Sequence, residues 1–198
     1  MADFELALQK VLDDEGGYSN QASDLGGETL FGISRKANPD WAGWRTVDYM
    51  RNDPMFPGVV QNDPRLRNMA ADLYRKQYWS KVDGDWVSDQ RLAEILFSIG
   101  VNMSPKVAIR FLQDGLNFFS HGGMSYVLTV VDGLCGPLTR QASNNYLGDA
   151  VNKQDALDRL AWYVTGRWVS RYGEIVRIHP GQSKNAKGWL DRTRCFWT

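Results

Sequence analysis

Cysteine is almost missing from this sequence: Cys135 and Cys195 stand alone among 198 residues. A lone pair cannot supply the disulfide framework of a small secreted scaffold. The two thiols lack zinc-ligand spacing, and His121 and His179 are the only imidazoles. No metal and no cofactor is therefore expected, and both cysteines are expected to be lone buried thiols. Net charge is missing too, since 23 Lys and Arg balance 23 Asp and Glu. With no base-reading motif in view, nucleic acid is not an expected partner. No run approaches the ~20 apolar residues of a spanning helix, which argues against stable membrane insertion. The opening "MADFELALQKVLDDEGG" has no apolar core of the signal-peptide kind, so a soluble chain made in the cytoplasm is expected.

What is present reads as a globular protein, 43% hydrophobic and 23% charged. The length suits one large domain or two small ones. Eight Trp, eight Tyr and eight Phe can fill a core, and Trp and Tyr also suit stacking on sugar rings or bases. Charge is unevenly spread. Met1 to Ser34 carries seven acids against Lys10 alone, whereas Arg159 to Thr198 carries eight basic residues against Glu174 and Asp191. The basic end can meet the acidic end or an anionic polymer, and its stripe (Arg167, Arg171, Arg177 and onward) otherwise reads as solvated helix face.

Periodicity favours helix nearly throughout. Phe4, Leu8, Val11 and Leu12 form an amphipathic stripe that Gly16-Gly17 should stop through a left-handed cap. Asp63-Pro64 and Ser104-Pro105 pair a cap with a first-turn proline, Gly136-Pro137 introduces a further helix, and Ser88 or Asp89 opens another. "NKQDALDRLAWYVTGRWVSRYG" is long and amphipathic. Residues 18–34 are rich in Gly, Ser, Asn and Asp, with a turn at Asp24-Leu25-Gly26-Gly27, and any sheet should be small and lie there. The fold class expected is mostly α, with a small hairpin or loop near 18–34. A boundary near Asn102-Met103-Ser104-Pro105, without a flexible linker, predicts two closely packed parts, 1–103 and 104–198.

One stretch breaks a local rule. In "LDDEGGYSNQASDLGGETLFGIS" three acids end a helix, where the carbonyl end already carries roughly half a negative charge. Such a placement opposes ionisation of Glu15: the helix end, the like charges of Asp13 and Asp14, and partial burial all favour the neutral acid. A neutral carboxylic acid is what a glycosidic leaving oxygen needs for its proton. Two flanking glycines would leave room for a bulky ligand. Asp24, in a Gly-rich turn, is the candidate for the second, ionised carboxylate, and Thr29 for positioning an attacking water. Glu28 competes with Asp24 for that role, and Tyr18 is a candidate to line the substrate. Asp132 and Gly133 read as a turn rather than as ligands.

These residues resemble the signature of the phage-type N-acetylmuramidases of glycoside hydrolase family 108. Its pattern runs Glu-Gly-Gly-Tyr and then Asp-Pro-Gly-Gly-x-Thr-Asn-Phe-Gly-Ile. Glu15 to Tyr18 match fully, as do Asp24, Gly26, Gly27, Thr29, Phe31, Gly32 and Ile33. Leu25 replaces Pro, and Leu30 replaces Asn, a change expected to alter how the loop meets substrate. The order Glu15, Asp24, Thr29 also resembles the triad of phage lysozymes of the T4 kind. "VAIRFLQDGLNFF" with "VVDGLCGPLTRQASNNY" is similar to peptidoglycan-binding modules, and "KGWLDRTRCF" to the close of the same family. The resemblance implies a lysozyme-like catalytic part followed by a helical wall-binding part. It implies a monomeric endolysin acting on peptidoglycan between N-acetylmuramic acid and N-acetylglucosamine, reaching the wall through holin lesions. A lytic transglycosylase, a non-catalytic wall-binding or secretion-assisting protein, and last a nucleic-acid binder remain open.

Overall fold

A computed structural model describes residues 1–20, 27–120, 122–123, 125 and 129–197, with the backbone alone at 14 and 15. The described chain is mostly helical with one small three-stranded antiparallel sheet, the α+β class expected. It divides into two compact units, Glu5–Gln77 and Met1–Phe4 with Tyr78–Thr198.

The first unit contains nearly all of α1 (Phe4–Glu15), the strands β1 (Tyr18–Ser19), β2 (Thr29–Leu30) and β3 (Ile33–Ser34), and helices α2 (Gly43–Met50), α3 (Gly58–Gln61) and α4 (Pro64–Tyr74). Leu8, Val11 and Leu12, three of the four α1 stripe residues, are buried here, as the spacing predicts. Asp63 caps α4: its carboxylate accepts from the Arg65 and Leu66 amides, and Pro64 sits where a missing N–H costs nothing. Leu66, Ala70 and Tyr74 are fully buried along α4, while Met69 and Leu73 are half-buried.

In the sheet, Tyr18 faces Leu30 and Ser19 faces Thr29, while Leu30 pairs with Ile33 across a two-residue turn. That turn is Phe31-Gly32, and both residues have positive φ, 51° and 77°, the geometry that matches the right-handed twist of a hairpin. Phe31 is unusual there for its Cβ. Its carbonyl accepts from the Tyr74 hydroxyl at 3.0 Å, which helps hold the turn against α4. Leu30, which stands where the family pattern has Asn, is fully buried, so any effect on how the loop meets substrate passes through packing rather than direct contact.

The second unit is built on α5 (Gln90–Asn102), α6 (Pro105–Phe119), α7 (Pro137–Gly148), α8 (Lys153–Ile178) and α9 (Ala186–Arg194). Asp89 rather than Ser88 caps α5, accepting from the Leu92 amide, and Ser104 and Asn152 cap α6 and α8. Residues Leu92 through Gly100 are all buried, so α5 is enclosed around its whole circumference, with α6 and α8 packed on it. The edge-to-face rings of Phe4, Trp79 and Phe97 extend this core. The sequence boundary near Met103 thus lies between two helices of one compact unit.

The Asp132-Gly133 turn is held by a single buried side chain. Gln113 accepts from the Gly133 amide at 2.8 Å, and its amide nitrogen lies 2.9 Å from Asp132 Oδ1 and 3.0 Å from Thr139 Oγ1. Gly133 has φ of 81°, and a Cβ there would collide with the Lys106 backbone. The Leu-Gln and Asp-Gly-x-x-Gly-Pro-x-Thr elements therefore fasten a loop to α6, as a turn reading requires. The cysteines differ from expectation. Cys135 is half-buried beside Asp83, but Cys195 is exposed, because it follows the last turn of α9, where its thiol reaches the Arg192 carbonyl.

Candidate active site

Helix α1 ends at Glu15, and Gly16 follows with φ of 75°, its amide donating to the Leu12 carbonyl at 3.3 Å. This is the left-handed stop expected of the glycine pair. The backbone of Glu15 therefore stands at the negative end of the helix dipole, in the position that opposes a charged carboxylate. Its side chain, and the whole of Asp24, lie outside the described residues. Asp13, one of the flanking charges, accepts from Gln9 at 2.6 Å, and Gln9 is in turn held by Arg67.

Gly17 has a neighbour on another helix. A Cβ at this position would land on the end of the Gln61 side chain, which is flexible enough to move, so the glycine keeps Gln61 of α3 close to the exposed backbone here. Thr29 opens β2, half-buried, and its hydroxyl donates to the Gly27 carbonyl at 3.2 Å. A hydroxyl spent on so long a bond keeps its lone pairs, which can still accept from a water.

Tyr18 is tied into a charged cluster. Its ring meets Phe56 edge-to-face at 4.7 Å, and its hydroxyl donates to Glu28 Oε1 at 2.8 Å. Burial raises the phenol above its ordinary range, and the Glu28 carboxylate raises it further. Glu28 also receives Arg51 Nη2 at 2.7 Å on the same oxygen and Arg35 Nη1 at 2.9 Å on the other. Both arginines then share Asp48 at the end of α2, at 2.7 and 3.0 Å, and hold its carboxyl below the usual range. Arg35 completes its contacts over the Trp44 ring, 4.8 Å from the centroid.

Glu28 was legible as a rival carboxylate. Arg35, Asp48 and Arg51 were not, and their only sequence signal is the Asp48/Arg51 spacing of three on a helix. Among the described residues no three His, Cys, Asp or Glu gather as metal ligands would, and no helix is long and apolar enough to cross a membrane.

The described geometry is thus a helix that ends at Glu15, followed by a small hairpin sheet in a helical unit. The family profile Glycosyl hydrolase 108 matches residues 8–104. These residues belong to that family, and the chain carries a glycoside hydrolase domain. A solved structure of Brucella abortus SagA resembles the chain with a TM-score of 0.53 at 21% identity, over 98% of this chain and 94% of that one. At that identity the likeness shows a shared fold. No curated protein sequence matches the chain.

Proposed function

We propose that this protein hydrolyses the glycosidic bond between N-acetylmuramic acid and N-acetylglucosamine in bacterial peptidoglycan. The observation that carries the reading is the end of α1. A family profile of glycosyl hydrolases covers the segment where an acid closes a helix against a left-handed glycine. In this reading Glu15 delivers a proton to the leaving oxygen, kept neutral by the helix end and by Asp13 and Asp14. Asp24 stays ionised and opposes the positive charge that develops on the sugar, and Thr29 orders the attacking water. The C-terminal helices add affinity for the wall through their basic residues. The protein acts as a monomer, an endolysin that reaches the wall through a membrane lesion.

Mass spectrometry of digested peptidoglycan tests the reaction. Reducing N-acetylmuramic ends are expected; anhydro ends would assign a transglycosylase that uses the same acid without water, and intact glycan would leave a wall-binding protein. Glu15→Gln should stay folded and lose at least about 100-fold in lytic rate, the scale of a general acid. Asp24→Asn should also lower turnover, and Thr29→Ala should lower kcat more than it changes KM.

A further inference from the structure

We propose that Glu28, Arg35 and Arg51 form a positioning clamp for the catalytic segment, and that Glu28 is neither acid, base nor nucleophile. The inference rests on the glycosidase reading above and adds residues to it. Its first support is occupancy. Glu28 Oε1 receives both the Tyr18 hydroxyl and Arg51, and Oε2 receives Arg35, with the side chain only 9% exposed. Three donors on its two oxygens leave this carboxylate little room for a sugar or a water.

The second support is placement. Tyr18 lies three residues beyond Glu15, and Glu28 immediately precedes Thr29. The Tyr18–Glu28 hydrogen bond therefore joins the segment that follows Glu15 in the chain to the residue that precedes Thr29. The same cluster ties both to α2, because both guanidinium groups also reach Asp48, and Arg35 donates to the Trp44 carbonyl at 3.3 Å. Trp44 and Val47 bury α2 in the core, which makes it a firm base. Arg35 gives one terminal nitrogen to Glu28 and the other to Asp48, while Arg51 bridges both carboxylates through Nη2 and reaches the Tyr18 hydroxyl with Nη1 at 3.4 Å; a lysine has no second nitrogen to span such partners. Geometry of this kind matters to rate, since a shift of about 1 Å can cost about 100-fold.

The test uses the full-length protein with Glu28→Gln and Arg51→Lys beside wild type. Initial rates on purified sacculi are measured against substrate concentration and pH, and hydrogen exchange is followed over residues 16–34. Each variant should lose about 10- to 100-fold in kcat with KM changed less than about threefold. Both limbs of the pH profile should survive, and exchange over residues 16–34 should quicken. Loss of a pH limb in Glu28→Gln would make Glu28 an acid or base itself and overturn the proposal. A variant with quickened exchange and wild-type kcat would reduce the cluster to a stabilising role, which also overturns it. Should Glu28→Gln not fold, Arg51→Lys keeps the charge and decides alone. If wild type releases no sugar ends, the glycosidase reading fails and catalytic positioning falls with it. Unchanged exchange would then remove the clamp as well, so the two failures are separable.

Discussion

At the scale of single residues, neighbours decide what a reactive group is free to do. Cys135 sits beside Asp83, 3.6 Å from its carboxylate, and Arg140 binds that same carboxylate at 2.6 Å. Burial first, and then the Asp83 charge, push the Cys135 thiol up to about 12, so it stays protonated across the neutral range. A thiol without thiolate is a poor nucleophile. Cys195 is exposed, with its thiol at the Arg192 carbonyl. Under native conditions at pH 8, iodoacetamide should therefore label Cys195 at least about tenfold faster than Cys135. Peptide mass spectrometry over a time course measures both. Equal labelling would mean that the Cys135 pocket opens, and that its high pKa does not govern reactivity in solution.

At the scale of elements, caps carry the clearest signals and also set an acid limit. The Asp63 carboxylate is held at about 2 by the Arg65 side chain first, and by the Arg65 and Leu66 amides. A folded pKa below the unfolded value means the stabilisation is fully present above about pH 4. It is lost as pH falls through about 2, because the unfolded chain then takes up the proton first. Asp63→Asn keeps a cap of similar rank but removes the titration. The variant should lose roughly 1 kcal/mol or less at pH 7 and show a shallower decline in melting temperature between about pH 4 and pH 2. An unchanged acid profile would place the sensitivity elsewhere. The same chemistry explains what could be read in advance. Asp63, Asp89 and Ser104 announce α4, α5 and α6 because their side chains satisfy free amides. Helix α2 has no side-chain cap and begins at a glycine, so nothing local marks it, although it anchors the charged cluster. The hairpin turn was equally silent. Phe31-Gly32 lacks the Asn-Gly or Asp-Gly pair that usually reports two positive φ values, and Tyr74, distant in sequence, helps hold it. At the site, the acid at a helix end was legible from electrostatics alone. The cluster around Glu28 was not, since Arg51 reaches Glu28 across 23 residues of sequence.

At the scale of the whole molecule, the reach of the family profile and the limits of compact packing differ. The profile ends at residue 104, between α5 and α6. A fragment cut there keeps Glu15, Asp24, Thr29 and the entire charged cluster, so by sequence it is complete in candidate catalytic residues. By packing it is not. Helix α5 would keep its own residues but lose α6 and α8, the two helices that pack on it, and Leu92, Ile95, Leu96 and Ile99 are at most 3% exposed in the intact chain. Large apolar side chains contribute about 1.5–3 kcal/mol each when buried. Exposing even half of that surface removes several kcal/mol, a large part of the roughly 5–15 kcal/mol that holds an ordinary protein folded. Residues 1–103 should therefore express poorly, show no cooperative melt by circular dichroism, and lyse no permeabilised cells, although no candidate catalytic residue has been removed. Sacculus pull-down by the full-length protein should weaken as salt rises, because its basic C-terminal residues act at the surface, where ions screen them. A 1–103 fragment that melts cooperatively and lyses cells at the full-length rate would show that α6 and α8 contribute nothing essential to α5. The enclosed position of α5 would then be dispensable for folding, and the catalytic part would end where the family profile does.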